Sequence, residues 1–530
     1  MRDFQMPGRS AAIATGGMAA SSHPLATLTA IEILRSGGNA IDAAVAAGAM
    51  LAVVEPHMTG IGGDCFVLYA PRGGDKVIAM NGSGRAPAGL TRERVLADEP
   101  DGTGIGRYSP HSVSIPGAID AWARLVADHG TKELGALLRP AIDAAENGYP
   151  ILGRVATDWA TETEKLGADP DTARVFLPGG ATPAEGDIHR QPQLAATLRR
   201  VAKDGRAGFY EGELAETMAA FLRSRGATHK AEDFAANRPD YVTPIRTRYC
   251  GVDIYQCPPN TQGITALEMM NILSGYDLGD FDPLHPDWLH LQIEAGRLAY
   301  RDRDAFLADP EKAKLPIEHL LSAPYADSLR AQIRLDRAMT DLPPPGKAEP
   351  HTTYLTVVDK DRNAVSFINS LFDHFGSGIF CPKTGVMFQN RATLFSVDPD
   401  HPNCVAPGKR PFHTIIPGMA VKDGRTIMSF GVMGGHYQPF GHVHLVSSVF
   451  GFGLDPQAAL DLPRVSHDGL VLEAERGIPE AARRALSAKG HDVVVTEHPH
   501  GGGQAIRIDW ERGTLTGGSD PRKDGCAIGY

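Results

Sequence analysis

The sequence predicts a layered α+β fold in which at least one β-sheet is sandwiched by helices. Two observations carry this: helical patterns dominate the chain up to about residue 307, and strand patterns crowd the stretch that begins at Thr352. In "HPLATLTAIEILRSGG", Leu25, Leu28, Ile31 and Leu34 fall close to helical spacing, and Gly37-Gly38 ends the helix in the manner of a C-cap. Asn39 caps a second helix from about Ala40 to Val54, and Pro56 stops it. "DCFVLYAP" and "KVIAMNGSG" read as two strands joined by the turn "RGGD". Helices return from Ala118 to about Asn147 and again over "DWLHLQIEAGRLAYRDRDAFL", Asp287 to Leu307. After Thr352, "TTYLTVVD", the turn "KDRN" and "AVSFIN" form a β-hairpin. "RTIMSFGVMGGH", "HDVVVTE" and "GQAIRIDWERGTLTGG" add strands, with helices between them at about 440–450 and 479–489. There is no internal repeat, and the conspicuous linker is the Pro-rich stretch 341–350.

The 530 residues allow several domains or one large core with elaborations. A hydrophobic share of 42% and a charged share of 22% are ordinary for a globular chain. The net charge is −11 and there is no Lys/Arg run, so a nucleic-acid partner is not expected. The longest apolar run, Ala43 to Val54, is short of the ~20 residues that span a bilayer, so no membrane partner is expected either. Six scattered cysteines without a C-x-x-C pair suit buried or incidental thiols. With no secretory pattern at the N-terminus, a cytoplasmic location is expected.

The sequence lacks H-E-x-x-H, G-x-x-x-x-G-K-[ST] and G-x-S-x-G, and "GIGGD" and "GVMGGH" do not match a dinucleotide fingerprint. The pairs His442/His444 and His498/His500 have no carboxylate or thiolate spaced to complete a metal set, so neither metal nor cofactor is expected. What remains is a nucleophile made by cutting the chain. If the bond between His351 and Thr352 breaks, Thr352 carries a free α-amino group beside its own hydroxyl. Such an amine has a pKa of about 7.7–8.0 and can take the hydroxyl proton near neutral pH. The same hydroxyl can perform the cut by attacking the His351 carbonyl. Ser370, on the hairpin return, offers a supporting hydroxyl, and Gly434-Gly435 offer backbone N–H donors for an oxyanion.

With these residues in view, the sequence resembles the γ-glutamyltransferase family of N-terminal-nucleophile hydrolases. The resemblance runs through "GGNAIDAAVAA", "TGIGGDCFVLY", "SIPGAIDAW", "DYVTPIRTRYCGVDIYQCPPNTQG", "EAGRLAYRDRDAFLADP", "TTYLTVVDKDRNAVSF", "FGSG", "PGKRPFHTIIP", "GVMGGH" and "GGSDPRKDGCAIGY", in that order. It implies a four-layer αββα sandwich, cleaved by itself into a large piece, 1–351, and a small piece, 352–530, that stay associated. Thr352 matches the family's nucleophile and starts the small piece at a strand edge. Ser370 matches its supporting hydroxyl, and Gly434 and Gly435 its oxyanion glycines. Further homodimerisation is left open.

The match departs from the family at the acyl pocket. An Asn and an acidic residue that hold the substrate's α-amino group correspond to Phe372 and Leu394, and a Gln in that pocket to Arg391. A Ser-Ser pair that helps hold the α-carboxylate corresponds to His413-Thr414, and the carboxylate-binding Arg to Arg85, about two positions late. Groups that bind an ammonium are gone, while Arg85 and Arg391 suit carboxylates. The expected function is hydrolysis of a small-molecule amide through a Thr352 acyl-enzyme, with water as acceptor. γ-Glutamyl amides such as glutathione are the first expected substrate. A non-glutamyl amide of the glutaryl or oxamate type, or an unprocessed inactive homologue, are the alternatives.

Overall fold

The structure is a computed structural model that describes residues 8–99, 102–340 and 352–530. The Pro-rich linker expected at 341–350, and His351 with it, lie outside the described residues.

Strand residues alternate between two apolar environments, and this alternation builds the layers. In the strand Thr353–Val358, Tyr354 and Val358 point into one core while Leu355 and Val357 point into another. The strand Asp64–Ala70 does the same, with Phe66, Leu68 and Ala70 on one face and Cys65, Val67 and Tyr69 on the other. The first core is shared with Met419, Val421, Ile506 and Ile508 of a second sheet, whose opposite face carries Ala420, Phe430 and Ala505. Each sheet has seven strands and is antiparallel throughout. Helices cover both outer faces, among them Ala40–Val54 on one side and Gly263–Leu273 and Pro286–Phe306 on the other. The order helix, sheet, sheet, helix is the expected αββα sandwich.

The helix Pro24–Arg35 ends in a Schellman motif, with Gly37 at φ 89° and the Gly37 and Gly38 amides donating back to Leu34 and Ile33. The next helix, Ala40–Val54, is buried along its whole length and starts from a capping box between Asn39 and Asp42. Its small residues allow close approach: a Cβ on Gly48 would sit 2.8 Å from the Phe367 ring. Asp42 also accepts from the amides of Thr131 at 3.0 Å and Lys132 at 3.2 Å, tying the helix to the loop before Leu134–Asn147. Asp42→Ala is therefore expected to lower stability by ~2–3 kcal/mol, more than a simple cap, read as a fall in the denaturant midpoint at constant slope.

One expected strand forms apart from the sandwich, and one expectation is corrected. "HDVVVTE" forms a strand, Asp492–Val495, but in a separate three-stranded sheet with Val465–Asp468 and Val471–Ala474. Thr353–Val358 is not an edge strand: it lies between Met18–Ser21 and Ala364–Ser370, so Thr352 stands at the end of an interior strand. No helix among the described residues is long and apolar enough to cross a membrane.

Candidate active site

Sheet register brings the first groups together. Thr353 pairs with Asn369 and Ser370 pairs with Asp64, which lines up Thr352, Ser370 and Asp64 across the end of three neighbouring strands. All three are fully buried. Thr352 Oγ1 lies 3.1 Å from Ser370 Oγ. The Phe372 amide donates to Ser370 Oγ at 2.9 Å, and the Arg391 guanidinium donates to it at 3.3 Å. Two donors are directed at that oxygen, an arrangement in which the Ser370 hydroxyl can serve as the donor to Thr352 Oγ1. The backbone of Ser370 is held by close approach: a Cβ on Gly63 would lie 2.1 Å from its carbonyl oxygen. This gives the glycines of "GIGGD" a packing reason.

Phe372 adopts φ 81°, which a non-glycine residue visits at a cost of roughly 1–3 kcal/mol. That conformation delivers its amide to Ser370 and its ring to Arg391, whose guanidinium carbon sits 4.3 Å from the ring centre. Arg391 is fully buried. It donates to Thr414 Oγ1 at 2.8 Å, and its Nε has no hydrogen-bond partner among the described residues. Burial pushes its pKa down to about 9 against the opposing pull of Asp64 and Asp373. Among the described residues no carboxylate forms an ion pair with it, which leaves a cation whose natural complement is an anion from outside.

Gly434 and Gly435 follow the strand Arg425–Met433 and both have positive φ, 128° and 50°. Gly434 meets Gly501 closely, since a Cβ there would lie 3.0 Å from Gly501 Cα. Gln262 fixes the turn by donating to the carbonyls of Gly435 and Thr414, both at 2.7 Å. The Gly-Gly turn and the Arg391–Thr414 contact are thus joined through one side chain.

The other expected pocket residues are placed differently. His413 is buried and its Nε2 lies 3.0 Å from Asp64 Oδ2, while burial, and then the Arg391 charge, lower its pKa to about 3. It is a neutral imidazole already occupied by Asp64, whose other oxygen accepts from the Gly84 amide and from Gln389, both at 2.9 Å. Leu394 packs against the cluster of Ile264, Leu307, Leu320 and Phe412. Arg85 makes ion pairs with Glu311 at 3.0 Å, Asp240 at 3.6 Å and Asp309 at 3.8 Å, so its charge is answered within the protein. Asp64 and Gln262 were not singled out by sequence reasoning, although both lie inside the motifs quoted for the resemblance.

The His-x-His pairs do not converge. His442 contacts Gln256 at 2.9 Å and His444 faces the Ala459 carbonyl, while His498 is exposed and His500 stacks on Tyr437. Two other buried groups bring three candidate ligands together, His57/Asp158/His374 and His290/Glu294/His491. In each the carboxylate is already met by cations, Asp158 by Arg154 and Lys523 and Glu294 by Arg297.

Comparison with known proteins places this arrangement. The γ-glutamyltranspeptidase family model matches residues 26–530. The glutathione hydrolase-like YwrD proenzyme of Bacillus subtilis is 37% identical, the alignment covering 98% of this chain and 99% of that protein. The oxamate amidohydrolase proenzyme of Klebsiella pneumoniae is 36% identical over the same shares of the two chains, 98% and 99%. The crystal structure of a cephalosporin acylase from Bacillus halodurans superposes with a TM-score of 0.94 at 40% identity, covering 100% of this chain and 99% of that one. A sandwich of this layering, matched nearly end to end in sequence and in structure, makes the chain a member of the γ-glutamyltranspeptidase family of N-terminal-nucleophile amide hydrolases.

Proposed function

We propose that this chain cuts itself between His351 and Thr352 and then hydrolyses amides whose acyl group carries a carboxylate but no α-ammonium, of the glutaryl or oxamate type. Thr352 is the nucleophile. Its freed α-amino group takes the hydroxyl proton as Oγ1 attacks the amide carbon, and the Ser370 hydroxyl donates to Oγ1 and holds it on line. Negative charge developing on the carbonyl oxygen is met by backbone N–H groups of the Gly434-Gly435 turn. The leaving amine departs with the proton, and water then cleaves the Thr352 ester. Gly434 and Gly435 suit this task because only glycine holds both positive φ values without strain.

The observation that carries the acyl assignment is Arg391, a buried guanidinium joined to Ser370 and stacked on Phe372, with a donor unspent. An α-ammonium beside it would face a like charge and an aromatic ring in place of a carboxylate. A second reading, γ-glutamyl amides, is favoured by the relative named glutathione hydrolase-like at 37% identity. The test compares glutaryl and γ-glutamyl p-nitroanilides and oxamate on processed protein. Turnover of the glutaryl compound or oxamate at least tenfold above the γ-glutamyl compound is expected; the reverse order would transfer the assignment to the second reading.

Ser370→Ala is expected to lower kcat about 10- to 100-fold with KM changed less, because the hydroxyl acts on the reacting geometry. An unchanged kcat would remove Ser370 from the mechanism.

A further inference from the structure

His436 follows the Gly434-Gly435 turn directly and has no role in the account so far. Arg303 lies 2.6 Å from its Nδ1. A guanidinium has no acceptor, so Nδ1 must be the unprotonated nitrogen. The proton of the neutral ring then sits on Nε2, which becomes a donor. Burial, followed by the Arg303 charge, holds the ring pKa well below the usual histidine range, in keeping with a neutral ring. The backbone is pinned as well, since Tyr300 donates its hydroxyl to the His436 carbonyl.

Nε2 is buried and has no hydrogen-bond partner among the described residues. His436 is the one residue of the run 431–440 that is partly exposed; its neighbours in that run are buried. Arg303 also donates to Gln262 Oε1 at 3.3 Å, and Gln262 donates at 2.7 Å to the carbonyl of Thr414, whose hydroxyl accepts from Arg391 at 2.8 Å. His436 therefore stands near the Arg391 side of the site while belonging to the segment that carries the glycine turn.

We infer that His436 is a specificity residue: its Nε2–H donates to the distal carboxylate of the acyl group, completing with Arg391 a cradle for a dicarboxylate mono-amide. The inference rests on the acyl assignment above. Two unspent donors, Arg391 Nε and His436 Nε2, then find the same kind of partner, and neither could bind an ammonium.

Glutarate, the product of such an acyl group, is the probe. It is titrated calorimetrically into processed wild-type protein, His436→Leu and His436→Gln, with glutamate as the comparison ligand. The Gln variant keeps both an acceptor for Arg303 and a donor for the ligand. Glutarate binding should weaken at least tenfold in His436→Leu and recover to within about threefold of wild type in His436→Gln. In parallel, kcat/KM for a glutaryl anilide should fall at least tenfold more in His436→Leu than kcat/KM for a butyryl anilide. An equal fall for both anilides would assign His436 a structural role through Arg303 and overturn the inference. Wild-type affinity for glutarate retained in His436→Leu would overturn it while leaving the acyl assignment standing. Wild-type protein that binds glutamate more tightly than glutarate, or binds neither, would overturn the acyl assignment and this inference with it.

Discussion

Thr352→Ala is expected to yield one uncut 530-residue chain with no measurable amide hydrolysis. Alanine removes the hydroxyl proposed to attack the His351 carbonyl, so no second piece should form. It also removes the nucleophile that would carry the acyl group. Losing a group of this kind costs on the order of 10⁴-fold or more in rate. The fold should survive, because Thr352 lies before the paired residues of Thr353–Val358 and the layers pack without its side chain. The outcome is read on a denaturing gel with intact mass and a thermal melt. Thr352→Ser supplies the control: it keeps a β-hydroxyl and should still be cut, more slowly or not. Normal processing of the alanine variant would place the nucleophile elsewhere.

Arg391→Met gives the second large effect, in two opposite directions. A buried guanidinium that meets an incoming carboxylate contributes through a charge-assisted bond in a dry site, and removing one such partner costs about 2–5 kcal/mol of binding. The kcat/KM for a glutaryl anilide should therefore fall roughly 30- to 5000-fold, mainly through KM. Stability should rise at the same time. Arg391 is fully buried with no carboxylate paired to it among the described residues, and a guanidinium does not shed its proton at neutral pH. The folded state carries that desolvation cost, which the proposed carboxylate ligand would offset. Methionine fills similar space without the charge, so unfolding should need ~1–3 kcal/mol more, reduced by the lost contacts to Ser370 and Thr414. A variant that is both less active and less stable would mean that Arg391 is a structural pillar.

Much of this was legible in the residues. Asn39 and Gly37 bracket their helices with local chemistry, and local chemistry does not depend on the rest of the chain. The hairpin after Thr352 follows from alternation on either side of a polar turn, and the pairing of its arms carries Thr352 to Ser370. Other features were hidden because they depend on sheet order. Asp64 becomes central only when its strand lies beside Ala364–Ser370. "HDVVVTE" has the composition of a core strand, but nothing local says that its partners are the short strand Val471–Ala474 and not the sandwich. Arg85 sits in a sequence that suggests a carboxylate ligand, and acids from two distant segments claim it. His436 looks like a turn residue until Arg303, on the helix Pro286–Phe306, selects its tautomer.

The most direct test is N-terminal sequencing and intact mass of the purified wild-type protein. Two fragments are expected, the smaller one beginning Thr352-Thr353-Tyr354 and running 179 residues to Tyr530, from 530 − 351. Active protein that remains a single chain through positions 351 and 352 would contradict the account at its root.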